Sequence, residues 1–491
     1  MKLEFQGHDE RYTVEQSLLN LFPGELPVYE SIQPEDGSWA KISVQEDADR
    51  LEVKTCLRYR GETVRATVPA VLSGTDYDRE GQRRHAIGAC FFTAYRALTG
   101  NTPPWGMLTG VRPDKLVTQT LNEGKSLQEA QALLERDYFV SPRRAALALE
   151  TGTAAFEASK ALDPKDIAVY IGIPFCPTRC AYCSFVSQSV ERSFALVDPD
   201  VDALIREIET GGRMVQETGL HVRAMYMGGG TPTTLTAEQL DRVLTAFETA
   251  FGPALDHCGE ITVEAGRPDT ITAEKLAVLK AHGVHRISVN PQTMEENVLR
   301  AIGRKHSPGD IEAAMELAVR TGFRYANMDL IAGLPEDTPE GFQRSLDRCL
   351  RFGTDNVTVH TLALKKGSRI LLEGLSIPGP EAVGEMLDYA EPALRAAGYA
   401  PYYLYRQKYM SGSFENIGWT RPGGACLYNI YIMSELCSIL SFGAGGSTKM
   451  TDPARRLIQR RFNPKYPKEY MERPEKALSN QADFAAFYSQ H

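Results

Sequence analysis

Cys176, Cys180 and Cys183 stand within the ten residues CPTRCAYCSF, in the order C-x-x-x-C-x-x-C. Thiols clustered this way in a reducing compartment suggest metal or redox chemistry and not disulfides. A structural zinc ion takes four protein ligands. The nearest further candidates, His257 and Cys258, lie far along the chain, so zinc needs a distant fourth ligand. A 4Fe–4S cluster takes one thiolate per iron. Three thiolates leave one iron free for a substrate or cosubstrate, as an open zinc position does. The other cysteines, Cys56, Cys90, Cys258, Cys349, Cys426 and Cys437, are scattered. Each reads as a small buried hydrophobe.

Further polar and glycine residues stand at the ends of apolar runs. In MGGGTPTTL, Gly228, Gly229 and Gly230 can bring backbone close to a ligand or simply turn the chain into a helix. The stretch lacks the lysine of a phosphate loop. Glu264 ends the run EITVE, where a carboxylate is either solvated or holds an ammonium or a ribose hydroxyl. Asn290 and Gln292, in SVNPQT, offer neutral contacts or a proline-centred turn. Arg304, in AIGRKH, reads equally as a surface cation. Asp329, in NMDLIAGLP, interrupts an apolar run and needs a partner if buried. No residue is singled out as a general acid, base or nucleophile.

The elements that must position these residues alternate. IAVYIGI, VRAMYMGGG, EITVEAG, VHRISVN, YANMDLIAG and NVTVHTLAL read as buried strands. Helical patterns separate them, such as TAEQLDRVLTAFETAF opened by Thr236. Six βα units imply an α/β fold with a parallel sheet, either a partial barrel or a doubly wound sheet. The partial barrel is favoured because the unusual residues recur just after successive strands, where sites of either architecture sit. Residues 1–160 form an expected amino-terminal α+β domain of unknown role. Residues 165–370 carry the βα core, and residues 375–491 a mixed domain rich in Tyr and Pro.

Hydrophobic residues make up 43% and charged residues 24% of the 491 residues, as in globular chains. Asp and Glu outnumber Lys and Arg by 63 to 54, a net charge of −9. This argues against broad binding to nucleic acid or anionic membrane, while leaving room for a local basic pocket. The opening MKLEFQGHDERYTVEQ lacks an apolar signal core. No apolar run approaches the roughly 18 residues of a membrane span. The expectation is a cytoplasmic protein.

A C-x-x-x-C-x-x-C run after a first barrel strand resembles the radical S-adenosylmethionine (SAM) superfamily. Gly228 to Pro232, G-G-G-T-P, match that superfamily's glycine motif. Across residues 165–370 the chain resembles the oxygen-independent coproporphyrinogen III oxidases and the related haem chaperones. Their first strand reads Y-x-H-I-P-F-C; here YIGIPFC keeps Tyr170 and replaces the histidine with Gly172. ENIGWTRPGGACLYNIYIMSE and ILSFGAGGSTKM resemble the HemZ-type coproporphyrinogen dehydrogenases. The resemblance implies a partial parallel (β/α)6 radical SAM barrel with Cys176, Cys180 and Cys183 on a 4Fe–4S cluster. Tyr170, Gly229 and Glu264 would contact the SAM on that cluster. Tyr182, Gly230, Thr231, Gln292, Arg304, Asp329 and Ala363 fall where the oxidases hold a second one, so one or two SAM molecules bind.

The implied reaction is oxidative decarboxylation of two coproporphyrinogen III propionates to the vinyls of protoporphyrinogen IX. Its partners would be a tetrapyrrole substrate and an unidentified electron donor, with no nucleic acid and no membrane span. Two departures stand out. The oxidases carry another cysteine two residues after the third, where this chain has Phe185; the chaperones have Asp-Phe where this chain has Ser184 and Phe185. A tetrapyrrole with several carboxylates would want guanidinium or ammonium groups. Arg406, Lys408, Arg421 and Lys449 are available in the final region but read equally as solvated charges. The alternative is a haem-binding delivery protein that keeps the radical machinery without porphyrinogen turnover; a zinc-stabilised scaffold is a third possibility.

Overall fold

Strands half-exposed to water must alternate, and the early β runs do. A computed structural model of the protein describes residues 1–33, 36–110, 112–183, 187–364, 367–407, 414–452 and 457–489. It divides into two compact units, Met1–Leu149 and Glu150–His491, the division falling within the helix Pro142–Lys160. In the first unit, β1 (Lys2–Gln6), β2 (Trp39–Asp47), β3 (Arg50–Tyr59) and β4 (Glu62–Val71) lie in that order across one sheet. Leu51, Val53, Thr55 and Leu57 of β3 point inward, and the residues between them do not. The helix Asp76–Thr99 covers that face with Ile87, Cys90, Phe91 and Phe92. Thr75 opens it with a capping box to Asp78, and Gly100 closes it in the left-handed conformation.

The second unit carries β5 (Asp166–Ile173), β6 (Phe175–Cys176), β7 (Gln188–Ser189), β8 (His221–Gly229), β9 (Glu260–Glu264) and β10 (Arg286–Ser288). It continues with β11 (Tyr325–Ala332), β12 (Asn356–Thr361), β13 (Ala400–Tyr405), β14 (Asn416–Thr420), β15 (Ser438–Phe442), β16 (Ser447–Asp452) and β17 (Leu457–Phe462). All but the short β6–β7 pair join one eleven-stranded sheet, ordered β13-β14-β12-β11-β10-β9-β8-β5-β15-β16-β17. The six expected strands are β5, β8, β9, β10, β11 and β12, every neighbouring pair parallel. They cross the sheet in chain order without reversal. A doubly wound sheet reverses at a switch point, so the winding is that of an opened barrel. None of the described pairings joins β13 to β17.

Residues after 375 add strands to both margins of this sheet. β13 and β14 pair antiparallel beside β12. β15 lies parallel to β5, and β16 and β17 follow it antiparallel. The helix Val197–Thr218 buries Val201, Leu204, Ile208 and Val215 at helical spacing. A Cβ on its Gly211 would stand 2.4 Å from the Phe442 ring, so this glycine permits close seating on β15.

Candidate active site at the carboxyl ends of the strands

Parallel strands send their following loops to one end, and there the second unit encloses a cavity of about 750 Å³. Every site residue expected from sequence lines it: Cys176, Cys180, Cys183, Tyr170, Tyr182, Gly229, Gly230, Thr231, Glu264, Gln292, Arg304, Asp329 and Ala363. Asn290 also lines it, as does Gly172, which replaces the family's histidine.

The cysteine segment is held by backbone bonds. The Ala181 N–H donates to Ile302 O at 2.9 Å, and Ala181 O accepts from Ile370 at 3.3 Å. The Cys183 N–H turns back to Cys180 O at 3.2 Å. The Thr231 hydroxyl donates to Cys176 Sγ at 3.5 Å, and Arg267 Nη1 donates to Cys180 Sγ at 3.9 Å. Burial pushes the Cys176 thiol up, and the Thr231 hydroxyl offsets part of that rise. Ser184 and Phe185 lie outside the described residues. Among those described, no three His, Cys, Asp or Glu side chains converge as one ion would require. A cluster spreads its thiolates over separate irons and needs no such convergence. Three thiols on one cavity wall, with hydroxyl and guanidinium donors on two of the sulfurs, suit a cluster of that kind.

The glycine motif first serves the protein itself. A Cβ on Gly230 would lie 2.4 Å from Phe175 O, so only glycine lets this segment run beside the cysteine strand. Gly230 and Thr231 each donate a backbone N–H across that approach, to Ile173 O and Phe175 O, both at 2.7 Å. Gly229 has φ +106°, outside the range that side-chain-bearing residues readily adopt.

Two carboxylates face the cavity in different states. Glu264 accepts the Tyr226 hydroxyl at 2.5 Å; burial pushes its carboxyl up to about 7, with the Asp329 charge adding to the rise. Burial also opposes ionisation of Asp329, but His360, Asn327 and Thr358 outweigh it and hold that carboxyl below its usual range. Asn327 Nδ2 donates to Asp329 Oδ1 at 2.8 Å, and His360 Nε2 lies 3.8 Å from Oδ2. Gln292 sits at φ +69°, a left-handed backbone stabilised by exchange with β11: its N–H meets Asp329 O at 2.9 Å and its O accepts from Ile331 at 3.0 Å. Strain of this sort collects at functional sites.

Arg304 is buried and bonds neutral acceptors, Asn290 O at 2.6 Å and the Tyr182 hydroxyl at 3.1 Å. Its Nε is buried without a hydrogen-bond partner, and it pairs with no carboxylate among the described residues. Such a cation suits an incoming carboxylate. One wall is aromatic: Tyr226 stacks on Tyr428 at 4.7 Å between centroids and on Tyr170 at 6.3 Å.

Sequence reading misses Arg267, Tyr226, His360, Tyr428 and Lys465, which all line the cavity. The Pro-Asp after Arg267 is the available signal: it forms a short turn that brings Asp269 back onto the guanidinium. Of the weighed basic residues Lys449 lines the cavity, whereas Arg406 and Arg421 do not, and Lys408 lies outside the described residues. Arg421 instead bonds Gly353 O and stacks over Tyr399. Cys90, Cys349, Cys426 and Cys437 are buried; Cys56 and Cys258 are only partly so.

Residues 170–349 match the family model of the Radical SAM superfamily. The chain is 36% identical over 480 residues to the oxygen-independent coproporphyrinogen-III oxidase-like protein HemZ of Bacillus subtilis, spanning 96% of this chain and 95% of that protein. It is 32% identical over 268 residues to the heme chaperone HemW of Mycobacterium tuberculosis, 53% of this chain and 64% of that protein. Among solved structures it resembles the coproporphyrinogen III oxidase HemN of Escherichia coli, a radical SAM enzyme. That likeness has a TM-score of 0.54 at 24% identity, over 67% of this chain and 73% of that one. The superfamily's cofactors are a 4Fe–4S cluster and SAM.

Proposed function

Because this chain belongs to the radical SAM superfamily, in its oxygen-independent coproporphyrinogen III oxidase-like family, we propose that it converts coproporphyrinogen III to protoporphyrinogen IX by oxidative decarboxylation of two propionates. The support is electrostatic. Arg304 and Lys465 line the cavity with no carboxylate partner among the described residues, whereas Lys449 there is paired with Glu435 at 3.4 Å, in a chain whose net charge is −9. Cations left without a carboxylate in the cavity of an acidic protein suit a substrate with several carboxylates.

In this reading Cys176, Cys180 and Cys183 hold the cluster. With SAM bound, that cluster would supply radical chemistry able to remove a hydrogen atom from the propionate carbon beside the ring, loss of carbon dioxide and one electron then giving the vinyl. Tyr170, Gly229 and Glu264 hold the SAM ammonium and ribose. Tyr182, Gly230, Thr231, Gln292, Arg304, Asp329 and Ala363 line the space for a second SAM or for the substrate. Stacked Tyr170, Tyr226 and Tyr428 exclude water from that wall. No helix in the described residues is long and apolar enough to cross a membrane. We place the reaction in the cytoplasm, fed by an external one-electron donor.

Anaerobic, reconstituted protein incubated with coproporphyrinogen III, SAM and a reductant should yield the divinyl product together with 5′-deoxyadenosine. The HemW relatives favour a second reading, haem delivery. Haem retained through a sizing column, with no vinyl product, would replace the first reading by the second.

A further inference from the structure

Arg267 has no role in the preceding scheme, yet its placement is highly constrained. It follows β9 in EAGRPD and is 2% exposed. Asp269 grips it as a fork, Nε to Oδ1 and Nη2 to Oδ2, both at 2.9 Å. Burial opposes ionisation of Asp269, but His306 and Arg267 outweigh it and hold the carboxyl well below its usual range. His306 Nδ1 lies 3.5 Å from Asp269 Oδ1. With two of its nitrogens fixed, the guanidinium presents Nη1 to Thr178 Oγ1 at 3.0 Å and to Cys180 Sγ at 3.9 Å. A planar fork held at one edge cannot turn its other edge away.

We propose that Arg267 is a positioning residue for the metal centre: its buried N–H and positive charge at Cys180 Sγ raise the reduction potential of the cluster that Cys176, Cys180 and Cys183 hold. One-electron reduction adds negative charge that spreads onto the sulfur ligands. A fixed cation donating a hydrogen bond to one of those sulfurs stabilises the reduced form more than the oxidised form. Asp269 sets the strength of this effect by aiming the donor and offsetting part of its charge. The inference rests on the cluster alone and is independent of which tetrapyrrole, if any, the protein converts.

The test is a mediated redox titration of reconstituted protein without tetrapyrrole, followed by the electron paramagnetic resonance signal of the reduced cluster. Arg267→Gln should keep wild-type iron and sulfide and move the midpoint to more negative potential. Arg267→Lys, which keeps the charge but not the fork, should move it less. A residue that only braced the loop would alter iron content or melting and leave the midpoint in place. An unchanged or more positive midpoint in Arg267→Gln overturns the proposal. Should that variant lose its cluster, Arg267→Lys decides: a shift to more negative potential supports the proposal, and an unmoved or more positive midpoint overturns it.

Discussion

Arg286 and Arg304 are both buried, but they stand at opposite ends of the parallel strands and keep different company. Arg286 opens β10. It meets Glu260, which opens β9, at 2.9 Å, bonds Asn356 of β12 and Gly424 O, and lies over the Tyr325 ring. The Cys426 thiol donates to Glu260 Oε1 at 2.9 Å and Thr262 to the same oxygen at 3.0 Å. There a charge is matched by a charge, with polar donors and acceptors around the pair. Arg304, at the carboxyl ends, has carbonyls and a phenol but no carboxylate among the described residues. Glu264, lining the same cavity, accepts from Tyr226 and pairs with no Lys or Arg among the described residues. One end of the sheet completes its own electrostatics; the other leaves them for a ligand to complete. Mutations at the two ends should therefore separate stability from function.

The largest functional effect is expected at the open end. Cys176→Ala, Cys180→Ala or Cys183→Ala should reduce iron and sulfide to background and abolish product, measured by metal analysis and chromatography, while the protein still melts cooperatively. The largest effect on stability is expected at the closed end. Arg286→Met leaves Glu260 buried and unpaired, which costs about 3–5 kcal/mol in denaturant unfolding. Adding Glu260→Gln should recover most of that; failure to recover would mean the pair is not what closes this end. Arg304→Met should change stability by no more than about 1 kcal/mol yet weaken SAM binding about 10–100-fold by calorimetry. Equal losses of stability in Arg286→Met and Arg304→Met would erase the contrast.

Glu264 gives a pH test. Its folded carboxyl, at about 7, lies above the unfolded 4.5. Between those values the unfolded chain has released a proton that the folded one still holds, so stability falls as pH rises through this window. The share of this fall due to Glu264, up to about 3 kcal/mol, should be lost in Glu264→Gln measured without SAM, leaving the share of Asp200, Glu207 and Asp337, whose carboxyls burial also raises. The smallest effect is expected for Lys465→Gln: a several-fold higher KM for the tetrapyrrole, with 5′-deoxyadenosine formation intact.

The six parallel strands could be read from sequence because buried parallel strands are continuous apolar runs, and their order follows the chain. The cysteines stood out by their spacing; the glycine motif and Glu264 stood at strand ends, where a bland reading stayed open and the family resemblance marked them. Tyr226 and His360 escaped because they sit inside apolar strands, where an aromatic or imidazole reads as core. Tyr428 and Lys465 escaped for another reason, and Lys449, though weighed, could not be told from a solvated charge. They come from residues after 375, whose strands flank the sheet at both margins, and which of their side chains turn inward depends on pairings between distant segments. Arg267 was hidden by its own partner, since an Arg-Pro-Asp turn reads as a solvated ion pair.

β5, which leads into the cysteine segment, has β8 on one side and β15 on the other. β15 begins at Ser438, so a chain growing from its amino terminus makes that second neighbour more than two hundred residues after β5 itself. Until then β5 offers an unsatisfied edge to any passing strand. The seat for iron is thus finished only once β15 has been made, and metal delivered to the nascent chain before then would reach an unfinished cradle.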